Sequence, residues 1–127
     1  MKHIILSLSI MLLISCSNRQ HSYSDEQVAQ WKTVHGEVYL VSFSEKENFI
    51  FRPIKRQEWN HLMTQIAKIP EEKKTEAIMM KAVVWPKLSD SNISSVSAGT
   101  PEALKALILE ASNFIPPERA VQLVRPL

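Results

Sequence analysis

Apolar and polar positions recur at two periods along this chain, and the changes of period mark its elements. Val28, Trp31 and Val34 fall three residues apart, on one face of a short amphipathic helix over 25–35 with Trp31 as its main anchor. Ser24 suits the cap of that helix, Asp25 and Glu26 suit its positive end, and Gly36 supplies the stop. From Glu37 to Phe43 the apolar and strand-forming residues Val38, Tyr39, Leu40, Val41 and Phe43 predict a strand. A charged turn, Ser44 to Asn48, leads into a second strand, Phe49-Ile50-Phe51-Arg52, which Pro53 closes. Such a hairpin needs cover on one face.

Helical stripes supply the cover. Trp59, Leu62, Met63, Ile66 and Ala67 line one face of a helix over 56–69, and Pro70 suits the start of the next. In that next helix Ile78, Met79, Ala82 and Trp85 form the apolar face, with Pro86 ending it. A serine-rich loop runs over 89–99, and Thr100-Pro101-Glu102 opens a helix striped by Leu104, Leu107, Ile108 and Ala111. Pro116-Pro117 separates a last short helix, about 117–124. The expected fold class is α+β: one small domain, 24–127, with a two-stranded β-hairpin packed against four to five short helices.

The first residues follow a different pattern. Met1-Lys2-His3 precedes a run of apolar residues to Ile14, broken only by Ser7 and Ser9, and too short to span a bilayer core. Residues 1–15 therefore read as a signal-like apolar segment, and 16–23 as a polar tether. Leu13-Ile14-Ser15-Cys16 resembles the lipobox of bacterial lipoproteins, in which the cysteine is acylated and becomes the first mature residue. The alternative is an uncleaved apolar helix that packs on a partner and buries its cysteine. Ser17 behind Cys16 is not the aspartate that marks retention in the inner membrane, so the resemblance implies an outer-membrane anchor on the periplasmic face.

Composition narrows the chemistry. With 45% hydrophobic and 22% charged residues the chain is globular rather than disordered. A net charge of +2 is too small for a dedicated nucleic-acid binder, and the two glycines, Gly36 and Gly99, cannot build a glycine-rich phosphate loop. The single cysteine excludes disulfide scaffolds and cysteine zinc sites. Glu58 and His61 have the spacing of one half of a di-iron carboxylate motif, but the further inward glutamates are missing, and a solvated helix face explains the pair. His3, His21 and His35 lie too far apart in the pattern to form a metal site, and His35 suits the negative end of its helix. The serines are many but sit in polar loops, and the only cysteine precedes the domain, so no acid, base and nucleophile arrangement can be named. The expectation is a protein without enzymatic activity and without cofactor.

One run stands out. Arg52-Pro53-Ile54-Lys55-Arg56 places three cations in five residues beside Trp59. Pro53 fixes its own backbone and restricts Arg52. Arg52, Pro53, Arg56 and Trp59 are therefore the candidate partner-binding residues, suited to an acidic protein surface. The alternative is a solvated strand-to-helix corner.

The order of these motifs resembles small proteins of tailed bacteriophages, described as tail-assembly chaperones or minor virion structural proteins. The likeness rests on Trp31 and Gly36, on Phe51-Arg52-Pro53-Ile54 with Arg56, Glu58 and Trp59, on Val84-Trp85-Pro86, and on Ser112-Asn113-Phe114. It covers residues 24–114, with Asn113 standing where glycine is common. The resemblance implies protein binding in virion or tail assembly, with other phage structural proteins as partners, no cofactor and no nucleic acid. That family works in the virion or the host cytoplasm, whereas this chain opens with an export-type segment. The second reading is a lipid-anchored, periplasm-facing bacterial or prophage lipoprotein, such as a superinfection-exclusion factor, which binds an envelope protein and meets the membrane only through Cys16.

The lipobox pattern carries a direct prediction. In a bacterium, Cys16 acquires acyl chains, and two or more chains anchor a protein stably. Cell fractionation of the parent and a Cys16→Ser variant, with mass spectrometry, should find only the parent in membranes and shortened at its start. Two soluble proteins that both retain Met1 would contradict this.

Overall fold

The computed structural model describes residues 23–127. The expectations for segment 1–15 and for Cys16 lie outside the described residues, as does the tether apart from Tyr23. The chain divides between Val34 and His35 into two units.

In the first unit, α1 (Asp25–His35) begins where expected. Ser24 Oγ accepts from the Gln27 N–H at 3.2 Å and Gln27 Oε1 accepts from the Ser24 N–H at 2.8 Å, a reciprocal capping box. The anchoring role expected of the apolar face is not realised, since no residue of α1 is buried. Trp31 is half-buried and its ring lies 6.1 Å from that of Tyr23. Gly36 stops the helix as expected, at φ +83°, a left-handed conformation that costs other L-residues strain.

The second unit is built on a three-stranded antiparallel sheet rather than a two-stranded hairpin. β1 (Tyr39–Ser42) pairs with β2 (Asn48–Phe51), Tyr39 opposite Phe51 and Ser42 opposite Asn48. β2 also pairs with β3 (Val83–Trp85), Phe51 opposite Val83 and Ile50 opposite Trp85, with a register shift between them that leaves Val84 as the extra residue. Here the expected helix through Trp85 is corrected. The helix stops at Ala82, and the β-branched and aromatic run Val83-Val84-Trp85 satisfies the second edge of β2. Arg52 extends the ladder by donating its N–H to the Ala82 carbonyl at 2.9 Å. Sheet pairing beats the helical stripe because the buried strand β2 must bond on both sides.

Helices α2 (Arg56–Ile66), α3 (Glu71–Ala82) and α4 (Thr100–Ala111) cover one sheet face. Phe49 and Phe51 join Leu62, Ile66, Ile78, Met79, Leu104 and Ile108 in one core, while Ile50, on the alternate face, is also buried. Trp59 packs against this core, as expected; Trp85 reaches the sheet from β3. The serine-rich loop contains a 3₁₀ turn, Ile93–Ser95, whose Ile93 is buried. After α4 come α5 (Pro117–Ala120) and a second 3₁₀ turn, Val121–Leu123. The α+β class is as expected, and no described helix is long and apolar enough to cross a membrane.

Two carboxylates tie distant segments. Glu47, in the turn before β2, accepts from the Ser97 N–H at 2.6 Å and the Thr100 hydroxyl at 2.9 Å. These hydrogen bonds, the Ser97 amide first, hold its carboxyl below the ordinary range. The buried Thr75 hydroxyl of α3 donates to Glu102 at 3.1 Å, joining α3 to the first turn of α4.

Leu104 is fully buried at the centre of the core. Leu104→Ala should destabilise the protein by about 2–5 kcal/mol in urea unfolding, the cost of lost transfer energy plus a cavity. A loss below about 1 kcal/mol would mean that α4 does not pack on the sheet.

Candidate protein-binding corner

The chain turns from β2 into α2 through Arg52-Pro53-Ile54-Lys55, and this turn determines what the basic run can do. Arg52 follows β2 directly, and its side chain is only 12% exposed. A guanidinium so covered needs a partner. Its Nη1 and Nη2 donate to Glu58 Oε1 and Oε2 at 2.9 and 2.7 Å, a bidentate pair, and Nη1 also donates to the Pro53 carbonyl at 3.1 Å. The Arg52 charge is thus directed into the fold, where the sequence pattern alone pointed it at a partner.

Glu58 also departs from the expected pair with His61. It does not sit on a solvated face beside His61; its carboxylate is the hub of the corner. Oε1 also accepts from the Lys55 N–H at 3.3 Å, the carboxylate half of a capping box on α2. Lys55 cannot return the bond, because an ammonium has no lone pair to accept with. Lys81 of α3 approaches Glu58 at 3.8 Å. Hydrogen bonding from Arg52, then from the Lys55 backbone, with the Arg52 and Lys81 charges, outweighs burial and holds the Glu58 carboxyl at about 2.

The same turn is fixed from its other side by the end of α4. Ser112 Oγ accepts from the Ile54 N–H at 2.8 Å and donates to the Ile108 carbonyl at 2.7 Å. Asn113 adopts φ 65°, the left-handed conformation in which asparagine replaces glycine. The Asn113 N–H bonds the Glu110 carbonyl and the Phe114 N–H bonds the Leu109 carbonyl, both at 3.0 Å, forming a Schellman motif. That motif turns Phe114 back onto Trp59, with ring centroids 4.7 Å apart and planes at 58°.

Two segments far apart in sequence therefore meet at one place. Ile54, Arg56, Trp59, Asn60, Asn113 and Phe114 surround a shallow groove of about 290 Å³. Phe114 is 46% exposed, and Arg56 has no ion-pair partner among the described residues. Of the predicted binding residues, Arg56 and Trp59 line the groove, Pro53 shapes the turn behind it, and Arg52 holds that turn. Phe114, Asn60 and Asn113 complete it. An unpaired cation, two aromatic faces and two side-chain amides suit an extended segment carrying a carboxylate and an apolar side chain.

His35 differs from its expected role. Burial lowers its pKa, as do the nearby Arg52 and Lys55 charges, so its surroundings disfavour the imidazolium that a helix end would favour. No group of three or more metal-ligating side chains is found among the described residues. Comparisons with known protein families, with curated proteins and with solved structures found no match to this chain.

Acid should loosen the corner in a defined window. The folded pKa of Glu58 lies below its ordinary value near 4.5, so its stabilisation is complete above that pH and is lost as pH falls toward 2. Glu58→Gln should cost about 1.5–3 kcal/mol at neutral pH, the range for hydrogen bonds to charged groups. The variant's stability should also fall less steeply between pH 4.5 and 2. Equal acid slopes in parent and variant would contradict the pairing.

Proposed function

We propose that this chain is a non-enzymatic interaction module of the tailed-phage type, acting in virion or tail assembly. At the Arg56–Trp59–Phe114 corner it binds an acidic and apolar segment of another structural protein. The observation that supports this reading is the meeting of two motifs of the phage resemblance, Arg52-to-Trp59 and Ser112-to-Phe114, in one groove. The Arg52–Glu58 pair and the Schellman motif are devices that fix geometry, and what they fix is an exposed cation beside exposed aromatic surface. Arginine and aromatic residues are the types that dominate binding energy at protein interfaces.

The apolar start and the Leu13-Ile14-Ser15-Cys16 pattern favour a second reading, in which the same module hangs from a lipid anchor and binds an envelope protein. The two readings share the corner and differ in the partner and its compartment.

Tagged full-length protein, purified from phage-infected cells, should carry virion structural proteins with it. A double Arg56→Glu, Phe114→Ser variant alters side chains at the groove and leaves the core of Leu104 and Ile108 intact. It should fold, and lose at least about tenfold in recovery of those proteins, since one central contact is worth about 2 kcal/mol or more. Undiminished recovery by the folded variant would refute the corner. Recovery of envelope proteins alone would support the second reading against the first.

A further inference from the structure

A second, apolar groove lies between β1 and the last turns of α4. Tyr39, Val41, Phe51, Leu107 and Ala111 line it, with Glu110 its one charged residue, and its volume is about 350 Å³. Among the described residues β1 is an edge strand, paired only with β2. The same chain carries an apolar segment that is exposed among the described residues. Beyond α5, Val121, Leu123 and Val124 are 72%, 61% and 77% exposed.

We infer that residues 121–127 of one copy dock into the β1–α4 groove of a second copy, and that the exchange is reciprocal. Three observations lead there. Groove and arm are both apolar, and each leaves apolar surface in water until it meets the other. Their charges agree in sign: the only charged side chain from Val121 to Leu127 is Arg125, and the groove's Glu110 is 66% exposed, with Arg119 of its own chain at 3.5 Å on one oxygen, so its carboxylate can face a second cation. The third observation separates a second copy from the chain's own arm. Pro116 and Pro117 fix the path out of α4, and along that path Arg119 already reaches Glu110 of its own chain at 3.5 Å. Even so, Val121, Leu123 and Val124 stand in solvent and none of them lines the groove. Within one chain the arm reaches the groove's rim without filling it.

A two-fold exchange closes the assembly, because each copy offers one arm and one groove. One arm is a small contact, and two together form a modest interface, so the dimer should depend on concentration. This inference rests on different residues from the Trp59 corner: both grooves border the end of α4, this one at Leu107, Glu110 and Ala111, the corner at Ser112, Asn113 and Phe114.

Sedimentation of the full chain bearing Cys16→Ser, which removes the native thiol and any acylation, tests it. That protein should pass from monomer to dimer as concentration rises. Adding Val121→Asp and Val124→Asp, both at exposed positions, should weaken the dimer at least about tenfold, because the groove would have to bury carboxylates. A parent that stays monomeric overturns the inference. So does a dimer indifferent to the arm substitutions, which would place its interface elsewhere. A second measurement fixes the partner: mixed chains carrying either Ala111→Cys or Val121→Cys, again with Cys16→Ser, should oxidise mainly to the mixed disulfide. A mixed disulfide no more abundant than the two homodisulfides overturns the docking in trans.

Discussion

A guanidinium that is 12% exposed has left most of its water behind, and Glu58 replaces it with two hydrogen bonds at 2.7 and 2.9 Å. That exchange is the constraint on which the rest of the second unit depends. Arg52 is the residue after β2, and its backbone continues the ladder to Ala82 at the end of α3. Its side chain simultaneously grips the first turn of α2. One residue therefore joins the sheet to two helices. Removing either partner would leave a covered charge unpaired, which costs more than the pair itself contributes. Ser112 closes the other side by taking up the Ile54 N–H, so the turn is held at both ends. The aromatic contact between Trp59 and Phe114 follows from these two restraints.

Much of the fold was legible in the sequence where the physics is local. Ser24 capping α1, Gly36 at positive φ and the stripes of α2 and α4 depend on residues a few positions apart. At Asn113 the structure adds a turn that the helical stripe of α4 did not mark, with asparagine in the left-handed conformation. Trp85 shows where local pattern fails. Its spacing from Ile78 and Ala82 is helical, yet β2 lies more than thirty residues earlier and offers an unpaired edge that a periodicity cannot register. The same distance hides the partners of Glu47 at Ser97 and Thr100.

The candidate site was legible in part. Arg56 and Trp59 stand at the groove because a basic residue and an aromatic three positions apart share a helix face. Arg52 looked equivalent to Arg56 in the one-dimensional run, but it ends a buried strand while Arg56 begins an exposed helix turn. Their fates diverge for that reason alone. Glu58 was read with His61 as a surface pair; its true partner precedes it across a proline. Phe114 stands out only beside Ser112-Asn113, and its place in the fold follows from the left-handed Asn113 and the Schellman motif it closes. The surface that results combines a fixed backbone turn with the exposed side chains of Arg56 and Phe114.

Glu58 and Ser112 hold the Arg52-to-Lys55 turn as one unit. A double-mutant cycle with Glu58→Gln and Ser112→Ala, read by urea unfolding of the full chain, tests this most directly. Residues in one hydrogen-bonded network should show a coupling energy of about 0.5–3 kcal/mol. Losses that add to within about 0.3 kcal/mol would mean that the two restraints act independently, and the corner would not be a single element.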